Sequence, residues 1–163
     1  MQLKETQKAL NAFGKYVVQQ SRTNLTKGKK NASKRLYDSI DYEVLDGAKA
    51  VSVVFRMEDY GKYQDLGVSG VKKKYNTPYS YTSKMPPARV FSDWVVRKGL
   101  EGIRDDKGRF IKRKSLQYLI ARSVYNKGIK PSLFFTKPFE KAFERLPKEL
   151  QEKFGIDLQN AFE

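Results

Sequence analysis

The sequence predicts an α+β fold in which a small antiparallel sheet is flanked by an N-terminal helix and a long C-terminal helix, with a helical insertion. Apolar residues recur at helical spacing near both ends of the chain, and residues 42–55 alternate like two strands around an Asp-Gly pair. Helical patterns return between residues 86 and 128. With 163 residues the chain is most simply one domain, residues 1–163, in which residues 72–128 form a basic, largely helical insertion.

The N-terminal helix is predicted over residues from about 2 to 21 by an apolar stripe at helical spacing. The stripe consists of Leu3, Leu10, Phe13 and Val17. The lysine-rich residues 27–34 then break the pattern and predict an exposed loop. Leu36 and Ile40 lie four residues apart and predict one turn of helix after that loop.

A β-hairpin is predicted around Asp46 and Gly47, because an Asp-Gly pair tolerates positive φ and suits a tight turn between twisted strands. Residues 42–45 form the first strand. In residues 51–55 the odd-numbered positions are apolar and share one face of the second strand. Residues 48–50 leave the length of the loop open.

A short helix is predicted directly after the second strand, because Tyr60, Tyr63 and Leu66 recur every three residues and fall on one side of a helical turn. Gly67 and Gly70 predict a turn at its end. Two interpretations of the aromatic spacing stay open, a helix that faces the core and an exposed aromatic ridge.

Two helices are predicted in the insertion. The first starts at Pro86 and Pro87 and ends at Gly99, and its apolar face predicts a packed helix: Val90, Phe91, Trp94 and Val95. A turn signature at residues 105–108 separates it from the second helix. That helix is closed by Gly128 and is marked by four apolar residues: Leu116, Leu119, Ile120 and Val124.

The C-terminal helix follows an extended apolar segment, residues 130–138, which is bracketed by prolines. A long stripe at 3.6-residue spacing then runs from Phe139 to Phe162. Pro147 falls inside the stripe and should kink the helix or begin a second one, because its ring removes a hydrogen bond and crowds the preceding turn.

The composition excludes several kinds of chemistry. The chain contains neither cysteine nor histidine, which rules out disulfides, Cys/His zinc sites and a Ser-His-Asp triad. We expect no enzyme, no cofactor and no metal site. The sequence shows no apolar stretch typical of a signal peptide and no run near the length of a membrane span, so we expect a soluble protein made in the cytosol, with no membrane partner.

The formal net charge of +15 comes from 33 Lys and Arg against 18 Asp and Glu. From Phe139 onward four basic residues face six acidic ones, so the first 138 residues hold a net +17. Such a field favours polyanions, and DNA, RNA, an acidic protein surface or an anionic membrane surface would each satisfy it. A lysine-rich surface without a specific partner is the plainer alternative.

Basic and aromatic residues interleave between residues 71 and 81, and this pattern can hold phosphates while rings stack on bases. No aromatic-bearing sheet pattern surrounds it in the sequence, so an ordinary charged loop or edge strand is the preferred interpretation.

Acidic residues offer two weak metal-binding hypotheses. Asp105 and Asp106 are neighbours in a turn and point apart. Glu58, Asp59 and Asp65 could hold a divalent ion in a phosphodiester-cleaving enzyme, but Glu58 and Asp59 diverge on any regular backbone. We therefore assign no catalytic or metal residue.

Three segments, in this order, resemble the phage tail-completion or head-tail joining proteins of the HK97 gp10-like kind. Residues 34–40 (KRLYDSI) are similar to the Gly-x-Leu-Arg-x-Ser-Ile entry into the family's first strand. Residues 60–68 (YGKYQDLGV) are similar to its Tyr-Ala-x-Tyr-x-Glu-Phe-Gly-Thr segment, and residues 131–139 (PSLFFTKPF) to the Pro-x-x-Pro-Phe-Leu-x-Pro-Ala pattern that opens its last helix. Five positions depart from these patterns: Lys34, Asp65, Leu66, Val68 and Phe139. The resemblance covers about half the chain.

The resemblance implies a structural virion protein without enzymatic chemistry. It implies a homo-oligomeric ring of six or twelve subunits, a neck or tail-completion connector between the portal and the tail proteins around the DNA channel. The protein would be made in the cytoplasm of the bacterial host and would contact DNA transiently and without sequence preference. The alternative is a non-sequence-specific nucleic-acid-binding protein outside a virion.

Two sets of residues follow from this hypothesis. Subunit or partner contacts are expected at aromatic and neighbouring residues that could equally form the monomer's core: Tyr60, Tyr63, Asp65, Leu66, Phe134, Phe135 and Phe139. Basic residues facing the channel are expected at Lys72, Lys73, Lys74, Arg109, Lys112, Arg113 and Lys114.

Overall fold

The computed structural model describes residues 3–30, 32–47 and 50–162. The helices are α1 (Lys4–Lys27), α2 (Arg35–Ser39), α3 (Gly61–Leu66), α4 (Ser92–Arg97), α5 (Arg113–Lys127), α6 (Thr136–Phe143) and α7 (Leu146–Phe162), with a 3-10 turn at Ala88–Phe91. The strands are β1 (Asp41–Asp46), β2 (Val51–Arg56), β3 (Val68–Ser69) and β4 (Gly128–Ile129). They form two antiparallel two-stranded sheets, β1 with β2 and β3 with β4. The predicted α+β class, with its N-terminal helix and long C-terminal helix, is confirmed.

The chain forms two compact units. The first unit comprises Met1–Asp59 and Leu133–Glu163, and the second unit is Tyr60–Ser132. The insertion predicted at residues 72–128 falls inside the second unit. No helix in the described part of the chain is both long and apolar enough to cross a membrane.

Helix α1 is the long helix of the first unit, and it runs about six residues beyond the predicted end. Val18, Ser21 and Leu25 continue the buried face past the last residue of the predicted stripe. The helix ends at Gly28, at the start of the predicted loop. At Gly14 a side chain is excluded, because an added Cβ would lie 2.2 Å from Cδ2 of Tyr42. Helix α1 therefore lies close against β1.

The predicted hairpin is present, with Asp46 opposite Val51 at its closed end. Residues 48 and 49 of the loop lie outside the described residues. The helical turn predicted from Leu36 and Ile40 is α2, and both side chains are buried.

The core of the first unit lies between α1, one face of the hairpin, and helices α6 and α7. One cluster contains Leu10, Phe13, Val17 and Leu146, against which four residues of the hairpin pack: Val44, Val51, Val53 and Phe55. A second cluster contains Val18, Leu25, Leu36, Ile40 and Phe134. The apolar residues near both ends of the chain thus pack against the same hairpin.

The C-terminal region differs from the prediction at its start. Helix α6 begins at Thr136, so Pro138 lies in its first turn rather than in an extended segment. A first-turn proline is tolerated because the backbone N–H groups there have no partner within the helix. Pro147 stands near the start of α7, which confirms that it begins a second helix. Phe143 and Phe154 are exposed, so the predicted stripe is only partly buried.

A carboxylate of α7 holds the start of α1. The buried Asp157 accepts hydrogen bonds from Glu5 N at 3.0 Å, Thr6 N at 2.9 Å and Thr6 Oγ1 at 2.8 Å. A negative charge is favourable at a helix N-terminus, where backbone N–H groups are unsatisfied. Burial raises the pKa of Asp157, but these hydrogen bonds outweigh it, so its pKa lies below the usual value.

The second unit departs most from the prediction. Helix α3 confirms the helical segment, but residues 68 and 69 form β3 where a turn was expected. The helix predicted to start at Pro86 is a 3-10 turn followed by the six-residue α4. Its apolar face is not packed as predicted, since Val95 is buried whereas Val90 and Trp94 are exposed. Helix α5 confirms the second predicted helix and ends at Gly128.

We expect Gly67→Ala to destabilise the protein more than Gly99→Ala. Both glycines have positive φ, 78° and 63°, so each substitution adds backbone strain, and at Gly67 the ψ of 179° lies in a region that almost only glycine adopts. At Gly67 the new Cβ would also lie 2.6 Å from the Ile129 carbonyl oxygen, whereas at Gly99 nothing lies within 4 Å. Urea unfolding followed by circular dichroism measures both variants. Equal losses would show that the contact with β4 is unimportant.

We expect the stability that Asp157 contributes to depend on pH. A carboxyl whose folded pKa is depressed stabilises the fold above its unfolded pKa of about 3.9, and this contribution is lost as pH falls through the folded pKa. Asp157→Asn should therefore lower the urea midpoint at about pH 6, with a gap that narrows below about pH 4. Glu152→Gln, on the exposed side of α7, is the control and should show no such gap. A gap that persists at low pH would contradict this role.

Candidate functional site

The second unit contains a concave surface lined by tyrosines, which we call the tyrosine pocket. It has a volume of about 610 Å³ and is lined by Tyr60, Tyr63, Gln64, Val68, Pro78, Tyr79, Ser80, Tyr81 and Ile129. The rings of Tyr63 and Tyr79 meet edge to face, with centroids 4.7 Å apart. Tyr60 and Tyr63 are 39% and 37% exposed, so their rings are accessible in this chain.

A short sheet forms one wall of the pocket. Val68 of β3 pairs with Ile129 of β4. On the other side of β3, Ser69 N donates to the Tyr79 carbonyl and Tyr81 N donates to the Ser69 carbonyl, both at 2.8 Å. Side chains alternate along a strand, so Tyr79 and Tyr81 project from the same face. The result is a sheet face that presents aromatic rings.

Hydroxyl groups, including that of the buried Ser69, hold this wall in place. The Ser69 hydroxyl accepts a hydrogen bond from Tyr75 N at 3.0 Å and donates to the Tyr75 carbonyl at 3.2 Å. The Thr77 hydroxyl donates to the Gly67 carbonyl at 3.0 Å. Burial raises the pKa of the Tyr81 hydroxyl above its usual value, so this group stays neutral at physiological pH. These contacts fix residues 75–81 beside β3.

The second unit concentrates the positive charge of the chain. Residues 60–132 contain 17 Lys and Arg against 5 Asp and Glu, a net +12, whereas the rest of the chain has a net +3. Two lysines lie over tyrosine rings: Lys62 Nζ is 5.2 Å from the Tyr63 ring centre, and Lys73 Nζ is 5.5 Å from that of Tyr75. Positive charge thus lies beside the pocket at Lys62, and a second pair of lysine and tyrosine lies in the loop after β3.

The expected channel residues form two separate groups at the ends of α5. The backbone of the loop at Lys72 and Lys73 donates hydrogen bonds to the Asn126 carbonyl near the C-terminus of α5. Lys112, Arg113 and Lys114 lie at its N-terminus. A helix of 15 residues separates them by about 21 Å. The structure therefore does not join them into one patch.

Both arginines among the expected channel residues contact other side chains of the second unit. Arg109 pairs with Asp105, whose carboxylate also accepts hydrogen bonds from the backbone of the turn. Those hydrogen bonds hold the pKa of Asp105 below its usual value. Arg113 contacts Ser92 and Glu101. The lysines at 72–74, 112 and 114 are all exposed.

The expected contact residues fall into both units, and their burial differs. Phe134 is 1% exposed in the first unit's core, where Phe135 and Phe139 also pack. In the second unit Asp65 is buried, while Tyr60 and Tyr63 line the pocket. Leu66 is partly exposed. The core interpretation thus fits the three phenylalanines, and the exposed-ridge interpretation fits the two tyrosines.

Acidic side chains in the described residues do not gather into a metal site, since no group of three or more Asp or Glu lies close enough to hold an ion. Glu58 pairs with Arg35 at 3.2 Å. Asp105 caps its own turn. The structure therefore gives the metal-dependent hypotheses no ligand set.

Comparison with known proteins found no match to this chain. No protein-family model matches the sequence, no curated protein matches it, and no solved structure matches the fold.

The sequence indicated Tyr60 and Tyr63 as candidate contact residues, but it did not predict that Tyr63 and Tyr79 lie together in one pocket. Tyr79 and Tyr81 alternate as in a strand, and that spacing was the available signal. The strands that bring them to Tyr63 are only two residues long, and such short strands leave no periodic pattern in a sequence.

Proposed function

We propose that this chain is a structural virion protein of a tailed phage that joins head to tail as a neck or tail-completion ring around the DNA channel. It would assemble with copies of itself and with portal and tail proteins, after synthesis in the cytoplasm of the bacterial host. It would perform no catalysis.

The observation that carries the proposal is the exposed apolar surface of the second unit. Within residues 60–132, all of which are described, the buried apolar side chains are only Val68, Val95 and Ala121. Large apolar side chains are exposed in the same range: Tyr60, Tyr63, Val71, Val90, Trp94, Val96, Ile103, Phe110, Tyr118 and Leu119. A unit with so small a core and so many exposed apolar groups is typical of a subunit that is completed by its neighbours.

Backbone geometry supports the resemblance at one of its departures. Lys34 stands where the family pattern has glycine, and its φ of 56° lies in the left-handed region that favours glycine. Helix α3 also begins at the start of the second similar segment, and α6 begins within the third. The backbone conformation at position 34 therefore suits the glycine that the pattern specifies there.

The charge of the second unit supports contact with passing duplex DNA. Exposed lysines at both ends of α5 would neutralise phosphates without reading sequence. Their separation into two groups suits weak, distributed contact rather than a tight grip.

The same charge favours a second candidate, a non-sequence-specific nucleic-acid-binding protein outside a virion. Such a protein needs the basic unit but no ring. The state of assembly distinguishes the two candidates.

We expect the purified chain to form closed rings of six or twelve subunits that persist at high salt, since apolar contacts are not screened by ions. Mass photometry at low and high salt, with negative-stain class averages of the same sample, measures this. Trp94→Ser should shift the rings towards monomers, because truncating an aromatic anchor costs about 2 kcal/mol or more per interface.

Tyr16→Ser is the matched control, because Tyr16 is similarly exposed but belongs to the first unit. It should leave the rings intact. A monomer at every salt concentration and protein concentration would contradict a self-assembling connector and would favour the second candidate.

We expect duplex DNA to bind weakly, with an affinity that falls steeply with salt. Replacing Lys72, Lys73 and Lys74 by Gln should reduce the slope of log K against log salt by up to about 2.7, at about 0.9 per lost phosphate contact. Replacing three exposed lysines of the first unit, Lys4, Lys15 and Lys27, removes equal charge and should leave the slope nearly unchanged. Equal slopes for the two triple variants in fluorescence anisotropy would contradict a DNA contact at residues 72–74.

A further inference from the structure

We propose that the tyrosine pocket binds unpaired bases of single-stranded nucleic acid. This activity goes beyond the neck function and does not depend on it. Duplex DNA offers phosphates to the exposed lysines but keeps its bases stacked, whereas a single strand can place bases against the rings of the pocket.

One wall of the pocket is a sheet face with aromatic side chains. The pocket joins the side chains of three neighbouring extended segments, which contribute Val68, Ile129, and the pair Tyr79 and Tyr81. Helix α3 adds Tyr63 to the same concavity. Aromatic side chains on a sheet face are a common means of stacking bases in proteins that bind single strands. This is the aromatic-bearing sheet pattern that the sequence of residues 71–81 did not reveal.

The size and lining of the pocket suit a flat organic group such as a base. Its volume of about 610 Å³ lies in the range of pockets that enclose small organic ligands, about 300–1,000 Å³. The lining is mainly aromatic and aliphatic, which suits the flat faces of bases.

Lysines lie close to the rings of the pocket. Lys62 lies over the ring of Tyr63, and the exposed Lys130 directly follows the pocket residue Ile129. The whole unit has a net charge of +12. A polyanion with flat aromatic groups satisfies both the lysines and the tyrosines.

The test compares two fluorescent oligomers of equal charge by anisotropy: oligothymidylate and an abasic oligonucleotide, each of about 12 nucleotides. We expect oligothymidylate to bind at least about tenfold more tightly, because each base that stacks on a ring adds to the affinity. Equal affinities would overturn the proposal, since they would show that only phosphates are recognised.

Substitutions of pocket tyrosines test which residues cause the preference for oligothymidylate over the abasic oligonucleotide. Tyr63→Leu combined with Tyr79→Leu should abolish the preference for oligothymidylate but leave the abasic affinity unchanged. Phenylalanine at both positions should retain it, because the ring remains. Tyr118→Leu removes an exposed tyrosine of α5 outside the pocket and is the control. A double leucine variant that is folded by circular dichroism and keeps the full preference would overturn the proposal.

A measurement on the unaltered chain keeps the proposal testable if the leucine variant fails to fold. Oligonucleotides containing 5-iodouracil crosslink to aromatic residues on irradiation, and mass spectrometry identifies the modified peptides. We expect adducts at Tyr60, Tyr63, Tyr79 or Tyr81. Adducts confined to other residues, or displacement of oligothymidylate by an acidic peptide that binds more tightly, would overturn the proposal. Neither result bears on ring formation, so failure here is distinguishable from failure of the neck function.

Discussion

The first unit depends on the contacts that the ring of Phe55 makes with other aromatic rings. Its centroid lies 5.3 Å from that of Phe135 and 5.9 Å from those of Phe13 and Phe139, in edge-to-face geometry. These rings come from α1, from β2 and from the start of the C-terminal region, so one side chain of the hairpin joins both ends of the sequence. Aromatic pairs of this kind add about 0.5–1.5 kcal/mol each beyond the area that they bury. The two ends of the sequence also meet at the Asp157 carboxylate of α7, which accepts hydrogen bonds from the start of α1. This contact is polar, whereas the contacts of Phe55 are aromatic.

The second unit is held together differently. Its short strands, and the loop that follows β3, are fixed mainly by backbone hydrogen bonds and by the hydroxyl groups of Ser69 and Thr77. Few apolar side chains are buried there, and lysines and aromatic rings dominate the surface. A segment with little buried apolar area gains little hydrophobic stabilisation. The features that would recognise a partner therefore lie in the part of the chain with the weaker core, while the first unit supplies a packed fold.

Much of the first unit could be predicted from the sequence, because its elements follow local rules. The Asp46-Gly47 pair and the alternation after it were enough for the hairpin, and Pro147 was enough for the break between α6 and α7. The predicted end of α1 came too early because the buried residues Val18 and Leu25 do not lie on the line through Leu10 and Val17 but beside it on the helix surface.

The candidate site was less predictable, for two physical reasons. First, Tyr63 and Tyr79 are 16 residues apart, and the strands that bring them together are too short to show a period. Second, an apolar residue at helical spacing predicts burial only if something covers it. Trp94 has the right spacing and is 40% exposed, because α4 is six residues long and only Val95 is fully covered. The sequence pattern alone does not distinguish a packed face from one that awaits a partner.

Amide hydrogen exchange of the dilute chain, followed peptide by peptide, tests most directly the claim that the two units differ in this way. Slow exchange requires rare opening, and opening is rarest where apolar packing is densest. We expect the slowest exchange in α1, β2 and α7, and exchange faster by orders of magnitude in α4 and in residues 99–112. Exchange in the second unit as slow as in the first would show that residues 60–132 have a stable core of their own, and would contradict the account.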